Sequence, residues 1–134
     1  MTDDIMTIRE MCDAFNVTPR TLRFYESKEL IFPIREGTKR LFTKRDRARL
    51  KLILRGRSFG FSLEAIRQLL DLYNTSTKNI PQVTRALELG RERLEDMERQ
   101  RRELETTIKA LREQIAWGDE HLSSLITETA KAAE

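Results

Sequence analysis

The side chains of this chain whose type and spacing can do chemistry are arginines on a short helix. In the run Thr18-Pro-Arg-Thr-Leu-Arg-Phe-Tyr-Glu-Ser-Lys28, positions 20, 23, 24 and 27 fall on one side at helical spacing and carry Arg20, Arg23 and Phe24, while Leu22 and Tyr25 fall on another. One side can touch phosphate and the other can pack. Thr18 can cap the helix start with its hydroxyl, and Pro19 suits the first helical position, where no N–H is needed and φ is already helical. Catalytic chemistry is not assembled. One histidine (His121), one cysteine (Cys12) and no glycine-rich phosphate loop leave no set of acid, base and nucleophile, so no enzyme is expected. Asp119-Glu-His121 are three adjacent residues that point in different directions on a helix, and neither a metal nor another cofactor is expected.

Charge separates the chain into two parts. Residues 1–60 hold 14 Lys and Arg against 8 Asp and Glu, and residues 61–134 hold 11 against 14. A basic head on a mildly acidic tail suits a polyanion-binding head joined to a protein-contacting tail, although basic faces also occur on proteins that bind no polyanion. The single cysteine excludes an internal disulfide and fits a reducing compartment. No apolar run approaches the roughly 20 residues that span a bilayer, and Asp3 and Asp4 do not suit a signal peptide, so a cytoplasmic protein without membrane contact is expected.

The elements that must position the arginines follow from periodicity. Thr7-Ile-Arg-Glu10 has the form of a capping box, and Ile8, Met11, Cys12 and Phe15 then make one apolar stripe on which Cys12 is read as a small core residue. Residues 7–28 thus form two short helices around a tight turn, a pattern shared by helix-turn-helix units and by any small helical hairpin. Pro33 and Gly37, between apolar ends in residues 31–42, predict a two-stranded hairpin with Arg35, Lys39 and Arg40 at its basic tip, which would be a wing. Thr43 and Asp46 open a further helix whose stripe is Leu50, Ile53 and Leu54, with Lys44, Arg45, Arg47, Arg49, Lys51 and Arg55 read as its mostly solvated coat. Ser62 caps another helix after the break at 58–62, with Leu63, Ile66, Leu69, Leu70 and Tyr73 on one face.

Residues 74–79 read as a polar connector between a head, 1–73, and a long helix, 80–118. Along that helix, positions alternate by three and four from Ile80 through Leu87, Leu94, Arg101, Ile108 and Ile115 to Leu125, and 11 of the 14 seam places are apolar. So long a heptad seam predicts a coiled coil, and the simplest partner for it is a second copy of the chain. Gly118 is expected to end or bend the helix, leaving 119–134 as a short helix or tail. Trp117 and His121, near that break, are candidates for an effector pocket at the dimer end or for dimer packing and solvent exposure respectively.

The segments Val17-Thr-Pro-Arg-Thr-Leu-Arg-Phe-Tyr-Glu26, Arg40-Leu-Phe42 and Gly60-Phe-Ser-Leu-Glu64, with Thr7, Leu30, Pro33 and Asp46, resemble the MerR family of bacterial transcription regulators over roughly residues 6–73. The resemblance implies a mainly α protein: a winged helix-turn-helix DNA-binding domain followed by a long antiparallel coiled-coil dimerisation helix. It implies a dimeric, sequence-specific regulator bound to a palindromic promoter, whose long spacer it bends and untwists for RNA polymerase. Thr18, Arg20 and Thr21 would then lie against the major groove, Arg23 and Tyr25 against the backbone, and Arg35 and Arg40 in the wing. Lys39 stands where the family usually has a wing tyrosine, which keeps a charge for phosphate and removes an aromatic contact.

Residues 50–73, and Leu50-Lys-Leu-Ile-Leu-Arg-Gly56 above all, resemble the subgroup that controls leucine, isovalerate and related acyl-CoA degradation genes. An organic or acyl-CoA effector is the corresponding expectation. Metal-sensing relatives carry cysteines near the end of the dimerisation helix, and this chain has none after Cys12. The alternative is a coiled-coil architectural or interaction protein whose basic head binds DNA without sequence preference.

Overall fold

A computed structural model describes residues 4–74 and 80–133, with the side chains of Tyr73 and Asn74 left out. The places expected of residues 75–79 in the connector and of the Tyr73 ring on its helix face lie outside the described residues. In chain order the elements are β1 (Met6–Thr7), α1 (Ile8–Phe15), α2 (Pro19–Ser27), β2 (Ile34–Glu36), β3 (Lys39–Phe42), α3 (Lys44–Ser58), α4 (Leu63–Asn74) and α5 (Ile80–Ala133).

Local chemistry sets most of the element ends. In α1 the Thr7 hydroxyl accepts from the Glu10 N–H at 3.2 Å and the Glu10 carboxylate accepts from the Thr7 N–H at 3.0 Å. These bonds, the backbone one first, hold the Glu10 carboxyl below its ordinary range. Thr18 caps α2 through the Thr21 N–H, Thr43 and Asp46 form a second capping box on α3, and Ser62 accepts from the Ala65 N–H to cap α4. Helix α2 ends in a Schellman turn, with Leu30 N–H on the Tyr25 carbonyl, Glu29 N–H on the Glu26 carbonyl, and Glu29 left-handed at φ 58°. Helix α3 ends the same way, with Phe61 N–H on Gly56, Gly60 N–H on Arg57, and Gly60 at φ 83°.

The hairpin is joined by a strand that sequence did not show. β1 pairs antiparallel with β3 on the side away from β2, giving the order β1-β3-β2, with Met6 opposite Phe42 and Ile34 opposite Leu41. Two residues, the second of them the cap of α1, are too short to read as a strand. The core of this unit is Met11, Leu22, Leu30, Ile31, Phe42, Leu50, Ile53 and Leu70, all essentially without solvent contact. Each such side chain stabilises the fold by about 1.5–3 kcal/mol relative to an exposed one.

Two charged residues are buried with that core. Asp46 accepts from the N–H groups of Thr43 and Phe32, at 3.1 and 2.9 Å, so the same carboxylate caps α3 and pins the loop after α2. Arg49, expected in the solvated coat of α3, is instead buried: its Nε donates to the Leu30 carbonyl at 2.7 Å and its guanidinium lies over the Phe32 ring. Desolvation, with the nearby Arg45 second, lowers its pKa. Helical periodicity places Arg49 beside Leu50, and only the returning 30–32 loop turns that place into an interior one.

The chain divides into two compact units, Met1–Arg93 and Leu94–Glu134. The first extends past the expected limit at 73 because the opening turns of α5 belong to it. Arg85 Nε donates to Gln68 Oε1 at 3.2 Å, and Arg93 Nε donates to the Phe59 carbonyl at 2.6 Å beneath Gly60. The second unit is helix alone, and the break expected at Gly118 is absent: α5 continues to Ala133. Gly118 does not take the left-handed φ of a helix stop. A lone glycine costs a helix about 1 kcal/mol, which good helix formers on both sides offset.

The two Schellman turns generate a reciprocal test. Glu29→Gly relieves a side chain held at positive φ and is expected to stabilise the unit by about 0.5–1 kcal/mol. Gly60→Ala is expected to cost about 1–2 kcal/mol, because it adds the same strain and sets its Cβ 2.5 Å from the Arg93 guanidinium. Urea midpoints of the two variants should move in opposite directions.

Candidate nucleic-acid interface

Helix α2 stands as a ridge between two concavities, both within the first unit. The first, of 420 Å³, is lined by Arg20, Thr21, Phe24 and Tyr25 of α2, Arg57 of α3, and residues at the start of α4. The second, of 470 Å³, lies between Arg23 of α2 and the hairpin residues Glu36, Thr38, Lys39 and Arg40, closed below by Thr7 and Ile8. Arg20 and Arg23 are exposed and share the outer face of α2, and Arg20 lines the first cleft while Arg23 lines the second. Both clefts are basic: Arg20 and Arg57 on one side, Arg23, Lys39 and Arg40 on the other.

One carboxylate fixes the second cleft. Arg40 Nε donates to Glu26 Oε1 at 2.6 Å and Arg35 NH1 donates to Glu26 Oε2 at 3.3 Å, so both hairpin arginines meet on the last turn of α2. Strand pairing sets Arg35 directly opposite Arg40 in adjoining strands, which brings two like charges together, and the Glu26 carboxylate placed against both offsets their repulsion. Gly37 at φ 64° makes the tight turn between Glu36 and Lys39. Lys39 is exposed at that turn, while Arg40 is partly buried against Glu26.

The residues expected at the site are thus gathered, and the structure sorts them by what they touch. Thr18 and Thr21 hold each other, with hydroxyl oxygens 3.0 Å apart and the Thr21 N–H on Thr18, so Thr18 starts the helix. Tyr25 keeps its ring in the core, 4% exposed, and turns its hydroxyl to the first cleft, where Arg57 NH1 donates to it at 3.5 Å. Arg35 and Arg40 are held by Glu26. Arg20, Arg23 and Lys39 project at the surface. Arg57 is the residue that sequence reasoning passed over. It sits in the last turn of α3, thirty-two positions from Tyr25, and no local pattern announces that approach. Arg67 adds a brace, its NH2 donating to the Lys28 carbonyl at the end of α2.

Trp117 and His121 lie in the second unit and are not part of this surface. They stack on one another at 5.1 Å with 15° between the rings, an exposed pair on successive turns of α5.

Comparison with known proteins gives two family patterns. One, described as "MerR HTH family regulatory protein", matches residues 6–72, and another, "MerR, DNA binding", matches residues 47–114. The chain is 36% identical over 106 residues to the HTH-type transcriptional regulator ZntR of Escherichia coli (strain K12), covering 78% of this chain and 74% of that one. It superposes on the transcription regulator PbrR691 from Ralstonia metallidurans CH34, solved in complex with lead(II), with a TM-score of 0.62 and 31% identity over 80% of this chain and 84% of that one. HiNmlR, a MerR family regulator lacking the sensor domain and solved bound to promoter DNA, shares the fold at a TM-score of 0.58 and 22% identity, over 78% and 79% of the two chains.

The lead(II) of PbrR691 raises the question of a soft-metal site. Such an ion selects thiolates. The sole cysteine here, Cys12, is half-buried in α1, where burial and then the Asp13 carboxylate push its thiol up and keep it protonated. Among the described residues no three His, Cys, Asp or Glu side chains stand close enough to hold a metal ion. The residues present do not fit a thiolate-held metal.

The shared carboxylate can be tested by a double-mutant cycle. Glu26→Ala and Arg40→Ala are each expected to cost about 1–2 kcal/mol in urea unfolding, and the double variant less than their sum by about 1 kcal/mol. Additive losses would mean that the 2.6 Å pair carries no coupling.

Proposed function

The chain belongs to the MerR HTH family of regulatory proteins, and from that premise we propose that it acts as a dimer on a palindromic promoter, with α2 in the major groove. The observation that carries this reading is the ridge between two basic clefts. A helix entering the major groove has a phosphate strand on either side of it, and here each flank offers cations at a fixed place. Arg20 with Arg57 would meet one strand, and Arg23 with Lys39 the other. Thr21, partly buried on the ridge, would face the bases. Arg35 and Arg40 act mainly through Glu26, holding the hairpin where Lys39 can reach phosphate. Most of these contacts position the protein, and few specify sequence.

Dimerisation is supported by the seam of α5. Leu87, Leu94, Leu104, Leu111, Ile115 and Leu122 are each half or more exposed in a single chain. An apolar stripe of that length asks for a partner helix, and a second copy, running antiparallel, supplies it. Two heads at a set separation can then distort the spacer between half-sites, with the deformation offset by the contacts both heads make. Action on RNA polymerase through that distortion belongs to the same proposal and rests on the family resemblance.

The acyl-CoA subgroup and its effector rest on the resemblance of residues 50–73, and of 50–56 above all. Leu50, Ile53 and Gly56 are buried in the head, and Gly56 lets α3 approach Ile66 of α4. These are packing positions, so they support a fold more than a ligand.

Gel shifts with the promoter of its own gene, against random duplex competitor and at several salt concentrations, test the function. Arg23→Ala is expected to weaken binding to specific and random DNA alike and to reduce the salt slope by about 1, as loss of a single phosphate contact should. Arg57→Ala is expected to do the same from the other flank. An unchanged slope in both variants would remove the clefts from the interface, and equal affinity for the promoter and random duplexes would favour the architectural alternative.

A further inference from the structure

Helix α2 keeps one large apolar side chain on its outer face. Leu22 and Tyr25 pack inward, whereas the head leaves Phe24 44% exposed in the wall of the first cleft. Phe24 follows Arg20 by four residues and Thr21 by three. Residues at those spacings stand one above another on a helix, so the ring lies one turn along the ridge from the threonine that would face the bases.

The ring is held in place before any partner arrives. It leans on the Tyr25 ring, with centroids 5.7 Å apart and planes at 58°, and the Lys28 ammonium stands over it at 5.7 Å from the centroid. Tyr25 is itself fixed, its ring in the core and its hydroxyl on Arg57. Little side-chain freedom is left to lose on binding, which suits an aromatic contact residue.

We propose that Phe24 reads sequence, and that what it reads is the C5-methyl group of one thymine in each half-site. The proposal rests on the reading above that places α2 in the major groove, and it adds the base chemistry recognised there. In that groove the bases present hydrogen-bond donors and acceptors, and among the four bases thymine alone presents a methyl group. A phenyl ring neither donates nor accepts such bonds, so the methyl is the feature of the groove floor that it can favour.

The position fits that target. C5 lies on the side of the pyrimidine ring nearest the glycosidic bond, so its methyl projects into the groove beside the backbone of its own strand. Arg20 and Arg57, which line the same cleft, would hold the phosphates of that strand. The deoxyriboses of the strand are the competing apolar surface. Phe24 belongs to the helix that enters the groove and Arg57 to the opposite wall of the cleft, which sets the ring on the side of the base edges. The cations then position the head, and the ring between them specifies.

Deoxyuridine isolates this contact, because it removes the methyl and keeps every hydrogen-bonding group of thymine. The full-length protein is titrated in gel shifts at fixed salt against the promoter of its own gene, with each thymine of the half-sites replaced in turn. One position per half-site is expected to weaken binding about fourfold, the worth of one buried methyl, and both symmetry-related replacements together about fifteenfold. In Phe24→Ala these uracil effects should vanish while the salt slope stays that of the native protein, because no phosphate contact is lost. Phe24→Leu, which stays apolar, should retain part of the uracil effect and guards against an alanine variant that fails to fold. Cytosine at the same position should regain about fourfold on C5-methylation with the native protein, and nothing with Phe24→Ala. A promoter-specific protein indifferent to uracil, or one whose uracil effect survives in Phe24→Ala, overturns the proposal and leaves the regulator standing. So does an equal loss of promoter and random duplexes in Phe24→Ala, which would put the ring on deoxyribose. A native protein that binds promoter and random duplexes equally overturns both this proposal and the reading beneath it.

Discussion

The head depends on one carboxylate shared by two arginines. Arg35 and Arg40 stand opposite each other on adjoining strands, and a hairpin so built repels itself unless an anion intervenes. Glu26 supplies that anion from the last turn of α2. An exposed ion pair alone is worth little, but here both hairpin charges converge on one partly buried group, which ties the direction of the hairpin to that of the helix. The second cleft, with Arg23 on one wall and Lys39 on the other, has a fixed width for that reason. The first owes its shape to other links: Tyr25 to Arg57, and Arg67 to the end of α2.

Such links explain what sequence could and could not disclose. Caps were legible because their partners lie three residues away, as with Thr7 and Glu10 or Thr43 and Asp46. The order of helices and the hairpin followed from periodicity and from Pro33 and Gly37. Arg49 and Arg57 were not legible in their roles, because Leu30 and Tyr25 approach them only after the chain has folded back. Glu29 at positive φ was hidden for a different reason: a Schellman turn ordinarily advertises itself by glycine, and here the buried Leu30 anchors it instead. Gly118 misled in the opposite sense, since a glycine inside a strong helical stretch stops nothing by itself. Of the site, Arg20, Arg23 and Lys39 were readable as residue types, and their division between two clefts was not.

The long helix imposes the second constraint, because its apolar stripe cannot be buried by one chain. Glycine at two seam places costs each helix about 1 kcal/mol per residue, which would be an odd choice if the seam were a simple leucine zipper. In a paired coil the same glycines leave room for a large side chain of the partner, with nothing within 4 Å of where either Cβ would stand. They do not select a register by themselves, since a slip of one heptad still sets Gly90 against the partner's Ile108 and Gly118 against the partner's Ile80. Register then has a consequence at the DNA. A slip of one heptad displaces the two chains by about 10 Å, which is close to a third of the roughly 34–36 Å between half-sites one turn apart. One head would then face the wrong side of the duplex. A regulator that works by holding two grooves at a fixed separation therefore needs a coil with one register.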